Sequence, residues 1–119
     1  MRAAHWIVAL ALLAIAEPAL ACKCAVVARQ QTIASTPVVF EGRVVSIETQ
    51  ETAQLTTFAI VRSIKGLSGR ARVKVKSRTE SAACGYDFRS GRKTLLVGGE
   101  AAGDGVLTVR RCTMYNLNR

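Results

Sequence analysis

The chain has 119 residues, and its 17 Lys and Arg outnumber 8 Asp and Glu to give a net charge of +9. That length makes one domain at most. Its single histidine and single tryptophan, His5 and Trp6, both lie in an apolar N-terminal stretch. Once that stretch is removed, a histidine general base, a Ser-His or Cys-His nucleophile and a His-ligated zinc are all excluded.

Residues 1–21 read as a secretory signal peptide. Arg2 supplies the positive start, Trp6 to Ala16 is an unbroken apolar run of 11 residues, and Glu17-Pro18 ends it. Ala19-Leu20-Ala21 gives the small-x-small cleavage pattern. The run is shorter than the roughly 20 residues that a membrane-spanning helix needs. Lipidation of Cys22 is the alternative processing, and it would consume both the thiol and the amino group of that residue. Ala19 stands three before the cysteine, where such signals usually carry Leu. Cleavage after Ala21 takes 21 residues from 119 and leaves residues 22–119, a domain of 98. The charge stays at +9, because Arg2 and Glu17 leave together. The expected product is exported, secreted or periplasmic, without a transmembrane span.

Val27 to Ser35 is the one segment that reads as a helix. Val26, Val27, Ile33 and Ala34 give it a weak apolar face, and Pro37 stops it. The pattern then becomes strand-like. Val38 to Ile47 is the first β-rich run, with Gly42 a bulge or bend inside it. A polar turn leads to the second run, Leu55 to Ile64. Gly66 and Gly69 bracket the next turn, and Ala71 to Ser77 forms the third strand. Lys93 to Val97 is the fourth, ended by Gly98-Gly99. Val106 to Arg110 is the fifth, entered through Gly103-Asp104-Gly105. Short strands divided by Gly-rich turns argue for a sandwich or small barrel. Five strands and one helix suit a mainly β, five-stranded Greek-key barrel, the OB-fold.

The third strand is unusual in its charge. Arg70, Arg72, Lys74, Lys76 and Arg78 alternate with Ala71, Val73, Val75 and Ser77. Period-two alternation puts the five cations on one face, about 6.6 Å apart along the strand. Like charges in a row repel, so the arrangement costs stability unless a partner or solvent screens it. The five residues are candidates for binding a sulfated or phosphorylated polyanion of an envelope or matrix. A solvated face that keeps the protein soluble is the simpler explanation. Export and a scarcity of aromatic side chains for base stacking argue against nucleic acid.

The four cysteines, Cys22, Cys24, Cys84 and Cys112, all lie after the leader. An even count in a small exported domain implies disulfides. A bridge across Cys22-Lys23-Cys24 is strained. That leaves Cys22–Cys84 with Cys24–Cys112, or Cys22–Cys112 with Cys24–Cys84. A zinc site of all four cysteines lacks the usual paired-knuckle spacing. The remaining acids, Glu41, Glu48, Glu51, Glu80, Asp87, Glu100 and Asp104, form no catalytic motif, so no enzymatic activity, cofactor or metal of its own is expected.

Several short motifs occur together: Cys22-Lys23-Cys24 at the cleavage point, Arg29-Gln30-Gln31-Thr32 before a β-run, Cys84-Gly85-Tyr86 followed by Arg89-Ser90, and Leu107 to Cys112. In this order they resemble the N-terminal inhibitory domain of the tissue inhibitors of metalloproteinases, a netrin-like OB-fold. The resemblance runs from Cys22 to about Leu117. It implies the pairing Cys22–Cys84 and Cys24–Cys112. It also implies a mechanism, in which the free α-amino nitrogen and carbonyl oxygen of Cys22 chelate the catalytic zinc of a protease and displace its water. A catalytic zinc keeps an open position for such ligands. An α-amino group with a pKa of about 8 is partly neutral near pH 7, and a cationic protein favours that form further. By the same resemblance, Lys23 points into the pocket beside the zinc, and Ser81, Ala82 and Ala83 form the neighbouring contact ridge. The expected partner is then a zinc metalloprotease, met by a monomer. A netrin-like module that only binds polyanions is the alternative.

Overall fold

Alternation at period two organises the centre of the molecule. In the computed structural model, which describes residues 22–79, 84–89 and 91–119, Val73, Val75 and Ser77 are buried and the cations between them are exposed. The predicted leader and Ser81, Ala82 and Ala83 lie outside the described residues. The elements run α1 (Arg29–Ser35), β1 (Val38–Thr49), β2 (Ala53–Lys65), β3 (Arg72–Arg78), β4 (Thr94–Ala101), β5 (Leu107–Thr108) and α2 (Arg111–Asn118).

β1 pairs antiparallel with both β2 and β4, β2 with β3, and β4 with β5, while β3 and β5 run parallel. The order β1-β2-β3-β5-β4 closes into a barrel, the five-stranded Greek-key arrangement of the OB-fold. To pair on both sides, β1 has to bend. Its register shifts at Val39/Phe40, Glu41/Gly42 and Val44/Ser46, as β-bulges do. Gly42 serves the bend, since a Cβ there would stand 2.6 Å from the Phe40 ring.

The barrel is filled by Phe40, Phe58, Val73, Val75, Phe88 and Val97, with Met114 of α2 joining the same cluster. Phe58 meets Phe40 and Phe88 edge-on, with ring centroids 5.7 and 5.1 Å away, a geometry that suits the aromatic quadrupole. Among the described residues, no helix is long and apolar enough to cross a membrane.

The structure corrects the sequence reading in five places. Helix α1 begins at Arg29, not Val27, and it buries Thr32 rather than an apolar face; Val26 is 67% exposed. Thr32 is accommodated because its hydroxyl donates to the Ala28 carbonyl at 3.1 Å. The expected fifth strand, Val106 to Arg110, shrinks to Leu107–Thr108, because the chain turns directly into α2. The second helix was not expected, since it has no side-chain N-cap and only Met114, Asn116 and Leu117 are buried. A helix this short owes its stability to tertiary packing. Gly98-Gly99 does not end the fourth strand, which continues to Ala101. These glycines admit close neighbours: a Cβ on Gly98 would stand 2.7 Å from Leu117 Cδ1, and one on Gly99 would strike the Thr108 carbonyl. Finally, Arg70 and Ala71 precede β3, and Ala71 is exposed instead of sharing the apolar face.

Candidate functional site

Cys22, Lys23 and Cys24 are set by two bridges. Cys22 is bonded to Cys84 with Cα atoms 5.4 Å apart, and Cys24 to Cys112 at 5.1 Å. All four sulfurs are thereby used, so the four-cysteine zinc alternative falls. Cys22 and Cys24 are half-buried, and Lys23 between them is exposed.

Helix α2 holds the segment that follows. The buried Asn116 accepts from the Val27 N–H through Oδ1 and donates from Nδ2 to the Ala25 carbonyl, both at 3.1 Å. Its amide acts as a neighbouring strand would. Arg119 donates to the Val27 carbonyl at 3.0 Å, and Arg29 Nε donates to the Leu117 carbonyl at 2.9 Å. The same helix reaches the other bridge. The Arg111 N–H donates to the Cys84 carbonyl at 2.9 Å, and Arg111 Nε donates to the Gly85 carbonyl at 3.0 Å. Cys84 sits at φ +60°, a conformation few non-glycine residues adopt. It is fixed there by its bridge on one side and Arg111 on the other.

Residues 85–89 are tied to the barrel by polar side chains. Gly85 lies so close to the Arg78 backbone that a Cβ would collide with its carbonyl. Ser77 Oγ donates to the Tyr86 carbonyl at 2.7 Å. Fully buried Gln54 donates to Asp87 Oδ1 at 2.7 Å and accepts from the Phe88 N–H at 2.9 Å. Asp87 also accepts from the Arg89 N–H and guanidinium. The Arg89 hydrogen bonds, helped by Gln54, hold its carboxyl well below the usual carboxylate range. Burial pushes the Tyr86 phenol up.

The second candidate surface is β3. Arg72, Lys74, Lys76 and Arg78 all project outward, as the alternation predicts. Several cations elsewhere have structural partners, although Lys23, Lys93 and Arg110 do not among the described residues. Arg62 pairs with Glu41, and Arg89 with Asp87. Lys65 Nζ donates to the Ile33 and Ala34 carbonyls at the end of α1, and Arg92 donates to the Asn118 carbonyl. Among the described residues, Arg70, Arg72, Lys74 and Lys76 have no such partner, and neither does Arg43 of β1.

The structure therefore gathers Cys22, Lys23, Cys24, Cys84 and Cys112 at one end of α2. It keeps four of the five predicted β3 cations in a row and leaves Arg70 outside the strand. Sequence reasoning missed Asn116 and Arg111, whose roles depend on the unexpected α2. It also missed Arg43, which only strand register places near β3. No protein-family model and no curated protein matches the chain.

Proposed function

We propose that the mature protein is an exported inhibitor-like ligand of zinc metalloproteases, acting through the main chain of Cys22. The observation that carries this reading is the fixation of Cys22 and Cys24 on either side of an exposed Lys23, at the point where the leader is expected to be cut. An amine and a carbonyl on one residue form a five-membered chelate with a metal. Holding that residue by its own bridge to Cys84, with the Cys24 bridge two positions on, means little ordering entropy is lost on binding. Lys23 would enter the pocket beside the zinc. A long cation there suits a protease whose pocket carries acidic groups rather than an apolar one.

The test compares the mature protein bearing a free Cys22 amine with a form extended by one alanine and with an acetylated form. Inhibition of a susceptible zinc protease should be lost in both blocked forms. Equal inhibition by all three would refute chelation by the amine.

A second reading is favoured by a separate observation: Arg72, Lys74 and Lys76 point outward in a row and have no structural partner among the described residues. On this reading the domain binds a polyanion through Arg72, Lys74 and Lys76, with Arg70 and Arg78 at the ends of the row. The two readings use different residues and are compatible. Exchanging Arg72, Lys74 and Lys76 together for Gln should sharply reduce retention on a sulfated or phosphorylated matrix at low salt. Unchanged retention would sink this second reading.

A further inference from the structure

Resting on the polyanion reading of β3, the barrel register points to a wider surface with a defined occupant. Directly paired residues of antiparallel strands share a face. Arg72 pairs with Ala59, and Ala59 pairs with Arg43. A cation from β1 thus stands in the same row as the first cation of β3. With strands about 4.8 Å apart, the two arginine backbones lie about 10 Å from each other. The next row is Lys74, Thr57 and Ser46. Between the β3 cations and β1, the strand β2 offers only half-buried Thr57 and Ala59 in these two rows. By residue size, the register outlines a shallow channel: Ala59 and Thr57 form its floor, with Lys74 and Arg72 along one side and Arg43 on the other. The Lys76 row differs: it carries Glu48 at its β1 end and Glu100 beyond Thr108. These two acids thus flank the Lys76 row and not the rows of Arg72 and Lys74.

We infer that this channel binds a single linear chain that bears an anion on every backbone repeat and carries no bases: a phosphodiester-linked polyol. Cations repeating about every 6.6 Å along β3 are matched by a chain charged at each repeat. A polysaccharide with one carboxylate per disaccharide leaves alternate cations unmatched. No aromatic side chain occurs in the two rows, so nothing there stacks a base. Guanidinium groups grip phosphate oxygens through paired donors.

The experiment titrates labelled poly(glycerol phosphate) against the folded protein by fluorescence anisotropy over a range of salt. Four variants or forms are compared: wild type, the combined Arg72→Gln, Lys74→Gln, Lys76→Gln protein, Arg43→Gln, and Arg92→Gln as a charge-matched control before β4. The wild type should show a log–log salt slope of about −2, since each of the three channel cations contributes about 0.7 per phosphate contact. The triple variant should bind about 100-fold more weakly at low salt, and Arg43→Gln about fivefold more weakly, with its slope reduced by about one contact. Arg92→Gln should behave as wild type. If the triple variant loses binding while Arg43→Gln matches the control, the channel across β2 is overturned and the β3 reading stands. If no variant differs from wild type, both fall. Equal affinity for single-stranded DNA, for a polysaccharide with one carboxylate per disaccharide, or for anionic vesicles would overturn the proposed occupant.

Discussion

Two regions beside β3 treat polar groups in opposite ways. Beyond its C-terminal end, where Gly85 lies against Arg78, Asn116, Arg111, Ser77, Gln54 and Asp87 all spend their hydrogen bonds on the chain itself. Along the strand, Arg72, Lys74 and Lys76 spend none among the described residues. In the first region, burial makes every unmade bond costly, so donors and acceptors are matched. In the second, water solvates each charge, and folding gives no reason for the row to exist. The contrast separates residues that hold a terminus in place from residues available to something else.

The sharpest way to break the comparison is to cut the knot. Replacing Cys24 and Cys112 together with Ser opens a loop of 88 positions and should lower stability by about 3–4 kcal/mol, read by urea unfolding. A smaller loss is expected from Asn116→Ala, which strands the Val27 N–H and the Ala25 carbonyl. About 1–3 kcal/mol should go, with faster amide exchange confined to the segment before α1. Smallest of all is the effect on folding of the combined Arg72→Gln, Lys74→Gln, Lys76→Gln change. Stability should stay within about 0.5 kcal/mol of wild type and should rise slightly at low salt, where repulsion along the row is least screened. A loss above about 1 kcal/mol in the same unfolding assay would show that these cations do hold the fold together, and the contrast would collapse.

Much of the barrel could be read from the chain alone because its signals are local. Val73, Val75 and Ser77 alternate with cations, and Gly66, Gly69 and the Gly103-Asp104-Gly105 turn mark strand ends without reference to anything distant. What escaped depends on contacts across the fold. Gly98 looks like a terminator until Leu117 is seen above it, and α2 looks like a strand's tail until Met114 enters the core. The candidate site divides in the same manner. Cys22-Lys23-Cys24 is visible as a motif, but spacing left two disulfide pairings open, and the one found is the one the family resemblance implies. Arg43 is 29 positions from Arg72, and no periodicity relates them; only the pairing through Ala59 does.

The role of α2 also bears on the order of events during maturation. Cys24 cannot find its partner, nor can Ala25 and Val27 find Asn116, until residues some 90 positions later have emerged and folded. Contacts so distant in sequence form slowly, since loop closure must be paid for before they stabilise anything. The segment from Cys22 to Val27 is therefore expected to be fixed late. A chain crossing a membrane N-terminus first would deliver its two leading thiols well ahead of their partners, exposed to wrong pairing. Correct maturation would then favour a compartment that reshuffles disulfides as well as forming them.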